Sequence, residues 1–345
     1  MGKKLAYLIV AFSLILTGVI SFSLKGTGSI AGSGLGTGKQ IEKIEDYLEL
    51  VDYAGRLGLG LNEDGNSKFK SATLHVNSSS STDYESSNPE YTYGTISEKG
   101  ECEEDVTIHI TSKAVYMKLH HSSYWTEKCE VEEDDYRTVE KRYSGFVRYN
   151  VEVYITAKKG YIKINDYNTS SNTYSQVIKA EYTGKWIEIS EDIFDWFIDR
   201  TNALNDIGGI YEILFRGIEN DVIDEDDTSV SLNESDAAEL LGIEDEEIDD
   251  YNIDFSVDLS DKYRPHASLG VSLDSTESMD HPTDNGFNVE NVEIKTRGKG
   301  VCDLTIYDIN NTEINWNGSD VIDKISVDSY EEFEDLFIIE EYEED

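Results

Sequence analysis

The chain has 345 residues, of which 71 are acidic and 29 basic, giving a formal net charge of −42. The acid is spread along the whole chain, and such a field repels nucleic acid and anionic lipid headgroups, which argues against a nucleic-acid partner. The length allows one large domain or two modest ones, and 22 tyrosines against 3 prolines point to sheet and not to disorder.

From Leu5 to Leu24 there is no charge, with Lys3 and Lys4 before the run and Lys25 after it. That is enough apolar chain to cross a bilayer as a helix, and the two lysines favour a cytoplasmic N-terminus. Thr17, Gly18, Ser21 and Ser23 dilute its second half, and Ser29-Ile30-Ala31 offers a cleavage site, so residues 1–25 read as a signal anchor or a signal peptide. Leu16-Thr17-Gly18-Val19 resembles a bacterial lipoprotein signal in which Val19 stands where the lipidated cysteine would be. Residues 26–39 have the composition of a flexible glycine-rich linker. Localisation follows: the body sits at the cell surface, anchored in the cytoplasmic membrane by this segment or secreted after its removal.

The rest reads as a single α+β ectodomain over 40–330, with a helical insert at about 190–245, followed by an acidic tail at 331–345. Ile41, Ile44, Leu48 and Val51 recur at helical spacing, and Gly55 ends that helix. A strand is expected around Phe69 to Val76, and the Ser78 to Ser81 run with Asn88-Pro89 reads as a loop. From Val106 the period becomes two: Val106, Ile108, Ile110; then Val115, Met117, Leu119; then Val147, Tyr149, Val151, Val153, Ile155. One apolar and one mixed face per run is the pattern of antiparallel strands covered on one side. Shorter strands are expected at Tyr161–Asn165, Val177–Tyr182 and Lys185–Ile189. Ser190 can then cap a helix carrying Ile193, Phe194, Phe197 and Ile198, with further helices around Ile210–Ile218 and Asp236–Leu241. Alternation resumes at Ile253, Phe255, Val257 and Leu259, at Ala267, Leu269, Val271 and Leu273, and at Cys302, Leu304 and Ile306, with Asp274 to Gly286 as the longest break. A short strand or helix is expected near Tyr330 to Ile339.

Tyr161-Ile162-Lys163 on a hairpin, Gly184-Lys185-Trp186-Ile187 before the helices, and Asn291-Val292-Glu293-Ile294 through Asp308-Ile309-Asn310 to Thr312–Trp316 carry a resemblance to the half-barrel lipoprotein superfamily of LolA and the mycobacterial LppX and LprG proteins. It covers about Ile41 to Trp316 as an order of elements. The resemblance implies a large curved antiparallel sheet, a half-barrel wrapped over a few helices and preceded here by an apolar N-terminal helix. It also implies an apolar cavity for lipid acyl chains on the concave side. The absent lipidated cysteine and the acidic surface depart from that pattern.

No catalytic motif such as G-x-S-x-G is present, no enzyme activity is expected, and no cofactor is called for. Cys102 and Cys129 bracket the strands at Val106 to Leu119 and, in an oxidising exterior, form the candidate disulfide; Cys302 reads as a buried thiol. No C-x-x-C occurs, and His120 and His121 point to opposite faces of a strand, so no metal site is assigned. Asp224, Asp226 and Asp227, or Asp280, Asp284 and Asn285, offer oxygen ligands without calcium-loop spacing; divalent cations on the acidic surface remain a partner class. Two functions are expected. The first is a non-enzymatic ectodomain that binds a lipid or other hydrophobic small molecule in the concavity, lined by Tyr149, Val151, Val153, Phe255 and Val257. The second is a structural or adhesive acidic surface protein whose sheet is a filled core.

Overall fold

The computed structural model describes residues 41–55, 69–87, 96–134, 137–156, 158–198, 201–241, 249–282, 288–316 and 321–342. The apolar N-terminal segment and the glycine-rich linker lie outside them.

Among the described residues, thirteen strands form one open sheet with few helices. In chain order these are α1 (Ile44–Gly55), β1 (Ser71–Ser87), β2 (Ile96–Thr111), β3 (Ala114–Asp134), β4 (Arg137–Thr156), β5 (Gly160–Ser171), β6 (Tyr174–Ile178) and β7 (Trp186–Ile189). Then come α2 (Glu191–Ile198), α3 (Asn202–Glu219), β8 (Ser229–Leu232), α4 (Glu234–Leu241), β9 (Asp250–Asp258), β10 (His266–Pro282), β11 (Asn288–Tyr307), β12 (Val321–Val327), α5 (Tyr330–Glu334) and β13 (Phe337–Glu341). The spatial order is β12-β7-β5-β4-β3-β2-β1-β11-β10-β9-β8, with β6 on β5 and β13 on β6. Every pairing is antiparallel except β12 on β7. The two meanders meet where β1 pairs β11, from Thr73 opposite Tyr307 to Ser87 opposite Glu293.

Alternation decides which face is covered. Leu74 and Val76 on β1, Ile108 and Ile110 on β2, Met117 and Leu119 on β3, and Leu304 and Ile306 on β11 are all buried. Their neighbours His75, Asn77, Thr107, His109, Lys118 and His120 face the other way. The buried face lies under the helices. On α3, Ile207, Ile210, Ile213 and Leu214 recur at helical spacing and are buried in the same core as the strand residues. Each such side chain, wholly removed from water, contributes about 1.5–3 kcal/mol. Helix α1 closes this layer against α3. Its first N–H groups are satisfied by the Asp227 and Glu225 carbonyls, 2.9 and 3.1 Å away. The acidic patch 224–227, one of the two oxygen-rich stretches in the sequence, is thus a helix-capping turn. Lys43 pairs with Asp226 there at 3.0 Å.

On the outer face the chain after β11 folds back so that Trp316 stacks on Tyr154 at 4.0 Å between ring centres and leans on Tyr161 at 5.0 Å. Aromatic pairs of this kind fix that segment to the sheet.

Four local expectations are corrected. Ser78 to Ser81 is strand and not loop, because β2 and β11 hold both edges of β1 through this run. Residues 274–282 continue β10 against β11, so the expected long break there shrinks. The strand expected at 177–182 ends at Ile178, and the chain turns through residues 179–185. The acidic tail placed at 331–345 starts later, because the short strand or helix expected near Tyr330 to Ile339 is present as α5 followed by β13, with Phe333, Leu336 and Phe337 buried.

Candidate functional site

Reading the register across the inner face gives successive rows. The row Val151–Leu119–Val106–Val76–Leu304–Ala267–Val257, from β4 to β9, is wholly apolar. The next, Tyr149–His121–Glu104–Ser78–Cys302–Leu269–Phe255, turns polar in its middle four strands. Two residues further along each strand stand Val147, Ser123, Cys102, Ser80, Gly300, Val271 and Ile253. The inner face changes character at Glu104.

That carboxylate is buried, with its side chain fully out of water. One oxygen, Oε1, lies 2.8 Å from Nδ1 of His121, its cross-strand neighbour. The other, Oε2, accepts the N–H of Ala203 at 2.8 Å, in the first turn of α3. Thr201, the N-cap residue of α3, makes no side-chain cap bond; its hydroxyl donates to the Phe197 carbonyl instead. Glu104 therefore does from the sheet what an N-cap side chain does from the helix, and its charge sits favourably at the positive end of the α3 dipole. The His121 ring is held from two more sides. Its Nε2 is 3.1 Å from the Ser123 hydroxyl, and Tyr149 stacks on it at 4.5 Å with planes 1° apart. Cys102 Sγ lies 3.9 Å from Nδ1.

One turn further into α3, Asp206 accepts a hydrogen bond from the Ser78 hydroxyl. Burial pushes the Asp206 carboxyl up to about 7; the Ser78 bond opposes the rise and the nearby Glu104 charge adds to it. Burial also pushes the Cys302 thiol upward, with Asp206 and Asp303 adding to the effect. Because the folded-state pKa of Asp206 exceeds its unfolded value, the folded protein holds a proton that the unfolded chain releases. The stability this gives is full below the unfolded pKa of about 4 and is lost as pH rises through about 7. Asp206→Asn, which keeps an acceptor for Ser78 and removes the charge, is expected to raise the urea midpoint at pH 8 and to raise it less than half as much at pH 5. The gain at pH 8 should be roughly 4 kcal/mol, about 1.4 kcal/mol for each of the about three pH units that separate the folded from the unfolded chain. Equal effects at both pH values would contradict the assignment.

A second feature lies across β2, β1, β11, β10 and β9, an open groove of about 460 Å3. It is lined by the row Gly100–Thr82–Gly298–Leu273–Tyr251 and by that row's immediate chain neighbours. Among these, Lys99 pairs with Asp83 at 2.7 Å and Arg297 with Asp274 at 3.1 Å. Its walls mix apolar and polar groups, with Leu273 and Tyr251 beside the Lys99–Asp83 and Arg297–Asp274 pairs, and it opens on the inner face two residues beyond the row of Cys102 and Ile253.

The residues expected to line a lipid cavity lie in or against the helix-covered core. Val151, Val153, Phe255 and Val257 are buried in the common core under the helices, and Tyr149 packs against it. None of them borders the groove. The candidate disulfide is also corrected. Cys102 stands opposite Ser123, whereas Cys129 stands opposite Ile96, six residues further along β2. That separation is about 20 Å along the strands, and a disulfide needs Cα atoms within about 7 Å. Cys302 is a buried thiol, as expected. Sequence reasoning missed Glu104 altogether and left His121 without a role. In a chain with 71 acidic residues nothing in the pattern singles out one, and only the fact that position 104 continues the apolar face of Val106, Ile108 and Ile110 hints at burial.

No protein-family model matches the sequence, and no curated protein matches it. Among solved structures, a Pseudomonas aeruginosa FadL homologue aligns over 70% of this chain and 91% of its own at 7% identity, with a TM-score of 0.16. The translocator domain of the autotransporter NalP from Neisseria meningitidis aligns over 75% and 97% at 8% identity, with a TM-score of 0.14. The InvG secretin-domain β-barrel of the Salmonella injectisome aligns over 75% and 67% at 7% identity, with a TM-score of 0.13. Superpositions this loose do not establish a common fold.

Proposed function

We propose that this chain is a non-enzymatic ectodomain, tethered at a membrane by its N-terminal segment or secreted after that segment is removed, which acts as an acidic structural or adhesive surface protein. The observation that carries this reading is a packed inner face: along the rows from Val151 to Val257 and from Tyr149 to Phe255 the apolar side chains of both meanders share one core with α1, α3 and α4, and the positions expected to line an acyl-chain cavity belong to it. The outer face supports it as well. His75, Asn77 and Ser79 on β1 and Lys118 and His120 on β3 form a surface for water, where a lipid-facing strand would carry an apolar band. The net charge of −42 keeps such a body soluble and gives it capacity for divalent cations.

The test is lipid uptake. Full chain purified in detergent, stripped of lipid and exchanged into a second, lipid-free detergent is expected to show no saturable binding of a fluorescent fatty acid. Organic extraction of the natively produced protein should release no stoichiometric lipid. One acyl chain bound per chain would contradict this reading and restore the carrier.

A further inference from the structure

Cys102, Glu104 and His121 come from two adjacent strands and reach one point of the inner face: Glu104 and His121 are directly opposed, and Cys102 is two residues along β2 on the same side. Sγ, a Glu104 carboxylate oxygen and an imidazole nitrogen all lie within 4.8 Å of one another. We propose that these three side chains form a mononuclear binding site for a borderline divalent transition-metal ion of the zinc(II) class, with a fourth position open to solvent or a ligand.

The donor set decides the class. Thiolate, imidazole and carboxylate together suit zinc, whereas calcium and magnesium take oxygen alone. An ion at about 2.0–2.3 Å from each donor places the donors roughly 3.5 Å apart. The present spacings, 2.8 Å from Oε1 to Nδ1 and 3.9 Å from Sγ to Nδ1, bracket that value. Binding therefore needs the carboxylate and ring to part by less than about 1 Å while the sulfur closes in. The surroundings already do what outer-shell groups do at metal sites. The Ala203 N–H fixes the second carboxylate oxygen, the Ser123 hydroxyl partners Nε2 so that Nδ1 faces the ion, and Tyr149 fixes the ring plane. On binding, the Cys102 thiol loses its proton to solvent, the carboxylate contributes its existing charge, and the His121 ring coordinates as the neutral base. The two anionic ligands thereby cancel the charge of the ion.

The alternative for the same atoms is a hydrogen-bonded His121–Glu104 pair with a thiol beside it, and the two are separated by metal titration. Full chain in detergent, reduced and freed of metal, is titrated with zinc chloride by calorimetry and with cobalt(II) by absorption. One ion per chain is expected, with thiolate-to-cobalt charge-transfer absorption. Cys102→Ser should abolish that absorption and weaken zinc by at least about 10-fold, and His121→Gln should weaken it similarly. The chain has 3 cysteines, so Cys129→Ser with Cys302→Ala leaves Cys102 as its sole thiol, and this double variant should keep the cobalt–thiolate band. The double variant also keeps the proposal open to refutation if Cys102→Ser does not fold. Absence of stoichiometric binding, a band that survives Cys102→Ser, or a band lost in the double variant would each overturn the proposal.

Discussion

Phe255→Ala is expected to lower the free energy of unfolding by about 3–5 kcal/mol, measured by urea denaturation at neutral pH. Phe255 lies on β9 at the end of the row that runs through Leu269 and Cys302, opposite Leu232 of β8, and α4 covers the strand. It is 2% exposed. Removing the ring leaves a cavity among Leu269, Leu232 and the helix, and the neighbours cannot collapse because each is held by its own strand or helix. The number discriminates between functions. A ring standing at the wall of a hollow carrier touches protein on one side only and forfeits fewer contacts on truncation. A loss below about 1 kcal/mol would speak for an open interior.

Glu104→Ala is expected to cost about as much, roughly 3–5 kcal/mol, for a different reason. The variant strips the cap from the first turn of α3 and leaves His121 without its carboxylate in a row shielded from water. Glu104→Gln, which keeps an amide oxygen for the Ala203 N–H, should recover part of the loss; the remainder measures the charge. Should both variants unfold at the same urea concentration as the parent, the sheet-to-helix cap would not be a stabilising contact.

The secondary structure was largely legible because the strands alternate so regularly. Val106 to Ile110 and Val147 to Ile155 announce their buried face residue by residue, and the stripe Ile193, Phe194, Phe197 announces α2. Where the pattern failed, pairing had overridden it. Ser78 to Ser81 looks like a turn by composition, yet two neighbours bond its backbone, and a strand held on both sides tolerates serine. The functional cluster was hidden for a related reason. Register, which places His121 beside Glu104 and separates Cys102 from Cys129, is set by the hairpin between β2 and β3 and cannot be counted from sequence spacing. The same ignorance made the disulfide look plausible and the thiol–imidazole–carboxylate group invisible.

All of these readings depend on β1 being an interior strand that joins the two meanders into one sheet. Hydrogen exchange resolved to single amides tests this most directly. With β2 on one side and β11 on the other, every amide from Thr73 to Tyr84, including the serine run at Ser78 to Ser81, should exchange slowly and at rates like those of Val106 and Leu304. Rapid exchange at alternate residues of β1 would mark it as an edge, divide the chain into two separate β-modules, and contradict the account.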